Sequence, residues 1–214
     1  MKKKINWTSY GLEFLTVLVG ILIAFQLNEY STGKRQQNTL KEHFRYIQEE
    51  TDFNKKAVER GKAATEEVLA VVDSVLKLIE AKGDINTINQ MAFKILKFDG
   101  VYFKRNAYVT LIESGDIRFL KDFDLKSATI NLYEFYKWTG AIEQIGYDTM
   151  SERYYPYLYD HFDLLNGMLQ NEQIYYDQEF VNALAMCRFA LASRIAKYGE
   201  CIGQIEKYET LLSS

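Results

Sequence analysis

The stretch LEFLTVLVGILIAFQLNEY, residues 12–30, decides the fold predicted from this sequence. Its uninterrupted apolar core, residues 14–25, is 12 residues long, whereas a helix that crosses a bilayer needs about 20. Aromatic residues that favour membrane interfaces flank this core, with Trp7 and Tyr10 before it and Tyr30 after it. The 24 residues from Trp7 to Tyr30 are enough to cross about 30 Å of hydrocarbon with some tilt, so the pattern predicts one transmembrane helix.

Two other interpretations of this stretch remain open on the sequence alone: a buried helix of a soluble core, and a cleaved secretory signal. A signal needs small residues, as in Ala-x-Ala, soon after its apolar core. Here the core is followed by Gln26, Leu27, Asn28 and Glu29, which form a poor cleavage site. The sequence therefore favours an uncleaved span over both alternatives.

Small and polar residues share one side of the predicted span. When successive residues are placed 100° apart, five of them fall within about 80° of arc. They are Ser9, Glu13, Thr16, Gly20 and Ala24. The opposite side carries bulky residues such as Phe14, Leu18 and Leu22. Small residues let two membrane helices approach closely and polar residues hydrogen-bond across the contact, so we expect the span to self-associate or to pack against a partner.

Glu13 is an ionisable residue near the start of the span, and three roles for it stay open. Its carboxylate either reaches the nearby membrane interface, joins helices by hydrogen bonding, or lines a pore with a role in ion or proton passage. The last two roles differ in the number of helices and in hydration, which a sequence does not report.

Charge is distributed unevenly along the chain, whose formal net charge is −3. Residues 1–45 contain seven Lys and Arg against three Glu, whereas residues 46–214 contain 19 basic and 26 acidic residues. An acidic body argues against general nucleic-acid binding, which needs a basic surface. Basic residues lie on both sides of the span, and the short N-terminal tail with three lysines favours an N-terminus in the cytoplasm.

The remainder of the chain has helical periodicity and few residues that break helices, with a single proline in 214 residues. A polar hinge is predicted at residues 31–33, between an N-terminal tail and transmembrane helix at 1–30 and a helical soluble domain at 31–214. The predicted fold is all-α: one N-terminal transmembrane helix followed by a mostly antiparallel helical bundle with long helices.

Several residues predict where the helices of the bundle begin and end. Gly83 suits the C′ position of one helix, and Asp122 or Asp124 suits the N-cap of a later one. Pro156 is predicted to interrupt the tyrosine-rich stretch RYYPYLYDHF. The last helix has heptad-like apolar spacing, with Glu209 at a position where a heptad favours an apolar residue.

Two stretches resemble the signatures of an uncharacterised family of bacterial single-span membrane proteins. The first matches a Glu, a Val/Ile-Gly-Ile-Leu-Ile-Ala core and Gln-x-Asn, here at Glu13, 19–24, Gln26 and Asn28. The second, LIESGDIRFLKDFDLKSATINLYEFY at 111–136, resembles a Leu-Ile-x-Ser-Gly turn before a Tyr-rich helix. The sequence departs from the family in having a tyrosine, at position 30, where the family usually has a tryptophan. The resemblance implies a bacterial membrane protein and adds no activity.

Residues that carry catalysis or bind metals are sparse. The only histidines, His43 and His161, are more than a hundred residues apart, and the aspartates beside His161 match no established spacing of metal ligands. Cys187 and Cys201 are 14 residues apart in one predicted helix, roughly 21 Å, so we expect two buried thiols and no disulfide within the chain. We predict no enzymatic activity, no cofactor and no metal site.

Tyrosine is concentrated in two stretches of the soluble part, and a tyrosine offers a large face with a polar tip. We take these rings as a candidate interaction surface, with packing in the core as the alternative. They are Tyr154, Tyr155, Tyr157, Tyr159, Tyr175 and Tyr176.

The sequence predicts a non-enzymatic single-span membrane protein that self-associates through its span and carries a helical sensing or interaction domain. One form is a gated pore or membrane effector in stress or anti-phage defence. The alternative is a non-conducting, membrane-anchored scaffold or accessory subunit of a partner complex. The expected partners are the lipid membrane, further copies of the chain, and a protein or small ligand on the helical domain. The expected location is the bacterial inner membrane.

Overall fold

The computed structural model describes residues 7–97, 100–163, 165, 168–169 and 171–213, apart from the side chains of 7–9, 168–169 and 172. This part of the chain is almost entirely helical, which confirms the predicted all-α fold. Six α-helices occur in it: α1 Trp7–Glu80, α2 Ile85–Lys94, α3 Asn106–Glu113, α4 Phe123–Thr149, α5 Tyr155–His161 and α6 Gln178–Ser213. Short 3₁₀ helices span Asp116–Phe119 and Glu172–Tyr176, and a two-residue strand pair joins β1 Phe162–Asp163 to β2 Met168–Leu169.

The chain forms two compact units. One, here called the N-terminal unit, comprises Met1–Ile47 and Ala107–Lys121, and the other, the bundle unit, comprises Gln48–Asn106 and Asp122–Ser214. Within the N-terminal unit, Leu111 is fully buried, and a ring nitrogen of His43 lies 3.0 Å from a carboxylate oxygen of Asp116. That contact with His43, together with Ser114, lowers the pKa of Asp116. The proposed domain boundary after residue 30 stays a prediction.

Helix α1 continues without a break through residues 31–33, so the predicted hinge there is wrong. The prediction relied on Ser31, Thr32 and Gly33 as a polar break. A glycine inside a helix costs only about 1 kcal/mol relative to alanine, and no proline is present to remove a backbone donor. The helix-favouring residues on both sides are therefore sufficient to continue the helix.

The C-terminus of α1 is one residue displaced from the prediction. Lys82, and not Gly83, adopts the left-handed conformation, with φ 48°. The Lys82 amide donates to the Ile79 carbonyl at 3.1 Å and the Gly83 amide to the Leu78 carbonyl at 2.8 Å, which is the Schellman pattern. A Cβ at position 83 would lie 2.8 Å from a methyl carbon of Leu78, so a larger residue there requires that side chain to shift.

Aspartates cap two of the helices that follow. Asp84 accepts a hydrogen bond from the Thr87 amide at 2.8 Å and from its hydroxyl at 2.7 Å, so these bonds lower the pKa of Asp84. Asp122 accepts from the Leu125 amide at 2.9 Å, which confirms Asp122 over Asp124 as the N-cap of α4. Each cap satisfies a backbone donor that the first helical turn leaves unpaired.

In the bundle unit, α6 lies antiparallel to α4 and to the portion of α1 that belongs to this unit. The hydroxyls of Thr129 and Tyr208 are 3.1 Å apart, whereas Glu143 pairs with Arg194, so α4 and α6 run in opposite directions. The ion pairs Lys55–Glu209 and Asp73–Arg188 show the same relation between α1 and α6. The predicted antiparallel bundle is therefore confirmed for α6 against both of its long neighbours.

Pro156 does not stop the helix that precedes it. Between α4 and α5 the backbone passes through a π-helical turn, Met150–Tyr154, and continues into α5 with Pro156 in the first turn of that helix. A proline at this place lacks only an N–H that the first turn does not use, and its φ already suits a helix. The wider π turn lets the helical path continue, so the predicted interruption is wrong.

The segment 100–105 approaches α1 closely at Gly61. A Cβ on Gly61 would lie 2.2 Å from a methyl carbon of Val101. We expect Gly61→Ala to lower the free energy of unfolding by about 1–3 kcal/mol, because overpacking forces neighbours to shift. Chemical denaturation followed by circular dichroism measures the change.

The matched control for that substitution is Gly140→Ala in α4, where an added Cβ meets no atom within 4 Å. Alanine is the better helix former, so this control should be neutral or stabilise the protein by up to about 1 kcal/mol. Equal effects of the two substitutions would contradict the close approach of Val101 to Gly61.

Candidate functional site

The apolar stretch of α1 is exposed on all sides. Every residue from Tyr10 to Tyr30 is exposed, and the large aliphatic and phenylalanine side chains between Leu12 and Leu27 are 44–72% accessible. Within the described residues, α1 is the one helix long and apolar enough to cross a membrane, and its most apolar window has a mean hydropathy of 1.9 with no buried residue. This exposure excludes a buried core helix of this chain. The helix fits a membrane span or a signal sequence by length and composition.

The small and polar side of this helix is open to a neighbour. Glu13, Thr16, Gly20 and Ala24 are exposed, while the side chains of Ser9 and Trp7 lie outside the described residues. A Cβ on Gly20 would meet no atom within 4 Å, so the backbone itself is accessible there. The Thr16 hydroxyl donates to the Leu12 carbonyl at 2.9 Å, which satisfies it within the helix. The other two aromatic anchors, Tyr10 and Tyr30, are both exposed.

The candidate tyrosine surface is largely a buried core. Tyr154, Tyr157 and Tyr175 are buried around Phe180, with ring centroids 5.3–6.0 Å from its ring. The hydroxyls of all three are used: that of Tyr154 donates to the Ala92 carbonyl, that of Tyr157 to the Ile174 carbonyl and that of Tyr175 to the Asn89 side chain.

Because those three rings pack inward, the prediction that they form an exposed surface is wrong for them. Tyr155 and Tyr176 are half-buried, and Tyr159 alone of the six is widely exposed. Burial raises the pKa of Tyr157 to about 12, with Asp177 adding to the effect. The raised pKa extends to higher pH the range over which the hydroxyl keeps its proton and donates its hydrogen bond.

A buried polar network, which sequence reasoning missed, joins α4, α6 and the segment 100–105. The Glu143 carboxylate accepts from Arg194 at 3.1 Å, from the Val101 amide at 2.8 Å and from the Tyr198 hydroxyl. Arg194 also donates its Nε to the Tyr198 oxygen at 2.8 Å. Arg194 is only 2% accessible, so its charge is neutralised inside the protein. Burial, followed by the hydrogen bond to Glu143, raises the pKa of Tyr198, which keeps the phenol as a donor.

Other acidic and amide side chains on the helices of the bundle unit also have hydrogen-bond partners on neighbouring elements. Glu209, which departs from the heptad pattern, accepts a 2.7 Å hydrogen bond from Lys55. Glu50 accepts from the buried Tyr133 hydroxyl at 2.5 Å. Asn54 pairs with both backbone groups of Lys104, at 2.8 and 2.9 Å, as a neighbouring strand would. An acidic or amide residue within an apolar helical stripe was the available sequence signal for these contacts.

His161 packs on a neighbouring ring, and both cysteines are buried. His161 stacks on Tyr157 with ring centroids 4.3 Å apart and its Nδ1 lies 2.8 Å from the Tyr157 carbonyl oxygen. Cys187 and Cys201 are free and buried, as predicted, and burial raises their pKa values to about 12 and about 11. No group of three or more His, Cys, Asp or Glu residues suited to a metal ion occurs among the described residues.

The molecule is thus an all-α protein with a helical bundle unit and a long N-terminal helix whose first part is apolar and exposed. The chain belongs to a family of unknown function (DUF6090), which matches residues 13–191. The matched segment begins at Glu13 and includes both stretches on which the resemblance to an uncharacterised family rested. No curated protein and no solved structure is significantly similar to the chain.

Proposed function

We propose that this chain is a non-enzymatic, single-span membrane protein that self-associates through the small and polar side of α1 and uses its helical bundle for interaction. The observation that carries the proposal is the complete exposure of the apolar stretch. A long apolar helical stretch is stable when it is buried, either in a core or in a bilayer, and the described part of the chain does not cover this one.

Self-association follows from the uneven distribution of side chains around that helix. In hydrocarbon, bulky apolar side chains gain nothing by leaving lipid, whereas small residues permit close packing of two backbones. Gly20 offers an open backbone, and Glu13 and Thr16 lie on the same side. Two copies that pair along this side hold Glu13 away from lipid, which is where an ionisable group in a span belongs.

Substituting Gly20 tests the pairing of spans. We expect Gly20→Leu to reduce the dimer fraction in lipid nanodiscs about tenfold, because a leucine side chain separates the backbones and removes about 1–2 kcal/mol of helix packing. Crosslinking and native mass spectrometry of the full chain measure the oligomer distribution.

Gly11→Leu is the matched control for that experiment. Gly11 is also open to a Cβ, but it lies on the opposite side of the helix from Gly20. The control should keep the oligomers intact. Equal loss in both variants, or a monomer in the unsubstituted protein, would contradict pairing along the proposed side.

Two forms of this function remain, and Glu13 distinguishes them. If the paired or assembled spans surround water, the protein is a gated pore or membrane effector of the kind used in stress or anti-phage defence. If the side only joins helices, the protein is a non-conducting scaffold or accessory subunit. In both forms, the proposed location of the protein is the bacterial inner membrane, with its N-terminus in the cytoplasm.

Expression with a potential-sensitive dye separates the two forms. A pore should depolarise the membrane, and Glu13→Gln should change that depolarisation at unchanged protein level. An unaltered membrane potential under every condition in which the protein slows growth would exclude the pore and leave the scaffold.

A further inference from the structure

The side of α1 that carries Gly20 continues beyond the apolar stretch, and there it is basic. When successive residues are placed 100° apart, seven residues of 31–47 fall within about 60° of the direction of Gly20. All seven are exposed, and four of them are basic against one that is acidic. They are Ser31, Lys34, Arg35, Asn38, Lys41, Glu42 and Arg45, here called the basic side. Because α1 has no hinge at 31–33, this side and the small and polar side of the span belong to one helix.

The opposite side of α1 is covered within the N-terminal unit. Leu40 and Ile47 are buried, with accessibilities of 8% and 0%, and both lie about 180–200° from the direction of Gly20. His43 on that side lies 3.0 Å from Asp116, which belongs to the segment 107–121. The segment 107–121 therefore packs against the side away from Gly20, and the basic side stays open.

The start of the basic side lies at the depth of lipid headgroups. Lys34 and Arg35 are about 6 and 7.5 Å beyond Tyr30 along the helix, and Tyr30 is the aromatic residue expected at the membrane interface. A headgroup layer adds about 5–8 Å to the hydrocarbon core. With Ser31 and Asn38, these two cations line an open groove of about 340 Å³, which Thr39 and Glu42 complete.

The groove offers the donors that bind a phosphodiester. An ammonium and a guanidinium form the strong, charge-assisted hydrogen bonds that phosphate oxygens accept. None of the four cations of the basic side forms an ion pair with another residue that the structure describes. Their charge is therefore available to an anion from outside the chain.

Pairing of the spans brings the basic sides of two copies together. The axes of two packed helices are about 8–10 Å apart, which is close to the distance of about 8 Å over which physiological salt screens charge. Each copy presents four basic residues and one acidic residue there. The two sides therefore repel each other unless an anion lies between or beside them.

We propose that anionic phospholipids bind the basic side of α1 and that self-association of the spans depends on them. The lipid phosphate accepts hydrogen bonds from Lys34 and Arg35, and its charge reduces the repulsion between the two copies. A zwitterionic lipid carries its own amine and leaves that repulsion in place. This inference rests on the proposed anchoring and pairing, and it names the lipid class that the pairing requires.

Disulfide crosslinking in vesicles of defined composition tests this dependence. The full chain with Ala24→Cys is reconstituted in phosphatidylcholine alone, or with about a third phosphatidylglycerol, and is treated with a mild oxidant. Cys187 and Cys201 are buried and give a low background. We expect about fivefold more dimer with phosphatidylglycerol, because attraction of even one Lys or Arg to anionic lipid corresponds to a factor of this order.

Neutralising two residues of the basic side should remove the dependence without removing the dimer. With Lys34→Gln and Lys41→Gln added, repulsion is weaker, so dimers should form in phosphatidylcholine to within about twofold of their level with phosphatidylglycerol. The matched control is Lys137→Gln with Lys207→Gln, two exposed lysines of α4 and α6. It changes the net charge equally and should keep the full dependence on phosphatidylglycerol.

The outcomes separate this inference from the proposed function. Equal dimer fractions in both vesicles, or a control pair that behaves like the Lys34 and Lys41 pair, overturn the dependence on anionic lipid while the pairing stands. Inorganic phosphate that restores dimers in phosphatidylcholine at matched ionic strength also overturns it, because the ligand is then a free anion. Monomers in both vesicles, or extraction of the chain by carbonate, contradict the proposed pairing or anchoring, and the inference is overturned with them.

Discussion

Replacing Leu18 and Leu22 together with arginine is expected to release the full chain from the membrane. The two residues lie one turn apart on the bulky side of α1, opposite Glu13, and both are exposed. An arginine near the centre of a span costs about 2.5–3.5 kcal/mol, so the pair costs about 5–7 kcal/mol, or roughly a ten-thousandfold change in partitioning. Carbonate extraction and flotation with liposomes measure the bound fraction.

The matched control places two arginines at exposed apolar positions of the bundle unit, Tyr102 and Phe123. That variant should remain in the membrane fraction. Intact mass of the purified protein separates a span from a cleaved signal, because a cleaved chain lacks its first residues. Membrane association that survives both arginines in α1, or a mature chain that begins after the apolar stretch, would contradict the proposed span.

Breaking the Glu143–Arg194 pair is expected to have the largest effect on the stability of the bundle unit. Arg194→Met removes the cation and leaves the Glu143 carboxylate buried with two neutral donors, the Val101 amide and the Tyr198 hydroxyl. Removing one partner of a buried ion pair costs about 3–5 kcal/mol. In a unit of this size the midpoint of thermal unfolding should fall by on the order of 10 °C. Denaturant and thermal unfolding of the detergent-solubilised chain measure the change.

Two further variants test whether burial of the pair causes the expected loss of stability. Lys62→Ala breaks an ion pair with Glu66 at 2.7 Å that lies one turn apart on the surface of α1, and should cost less than about 1 kcal/mol. The double variant Glu143→Met with Arg194→Met should recover part of the stability, because no uncompensated charge remains. A loss below about 1 kcal/mol for Arg194→Met alone would contradict a buried, mutually dependent pair.

Parts of the fold were predictable from the sequence where a local pattern of residues was strong. The apolar run of α1, the Asp122 cap and the long apolar stripe of α6 each depend on residues close together in the chain, and each is observed. The prediction of a hinge at residues 31–33 was wrong because the local preferences of three polar residues are weak beside the cooperativity of a helix that continues on both sides. The prediction that Pro156 interrupts the helical path was wrong because a π turn before it accommodates the proline.

The buried side chains of the bundle unit, and their partners, were less predictable because they depend on contacts between residues distant in sequence. Glu143 and Arg194 are 51 residues apart, and Glu50 and Tyr133 are 83 apart, so neither pair has a local pattern. Tyr154 and Tyr175 are chemically able to lie at a surface or in a core. Only the packing around Phe180 and the hydroxyl acceptors on other segments decide that they are buried.

The buried network at Glu143 also restricts how the bundle can move. A slide of α6 along α4 by one helical turn, about 5.4 Å, would separate Arg194 from Glu143 and break the ion pair between two buried charges. The axial register of these two helices is therefore locked. A conformational signal that passes through the bundle must tilt or rotate α4 and α6 as a coupled pair, because sliding between them carries a penalty of several kcal/mol.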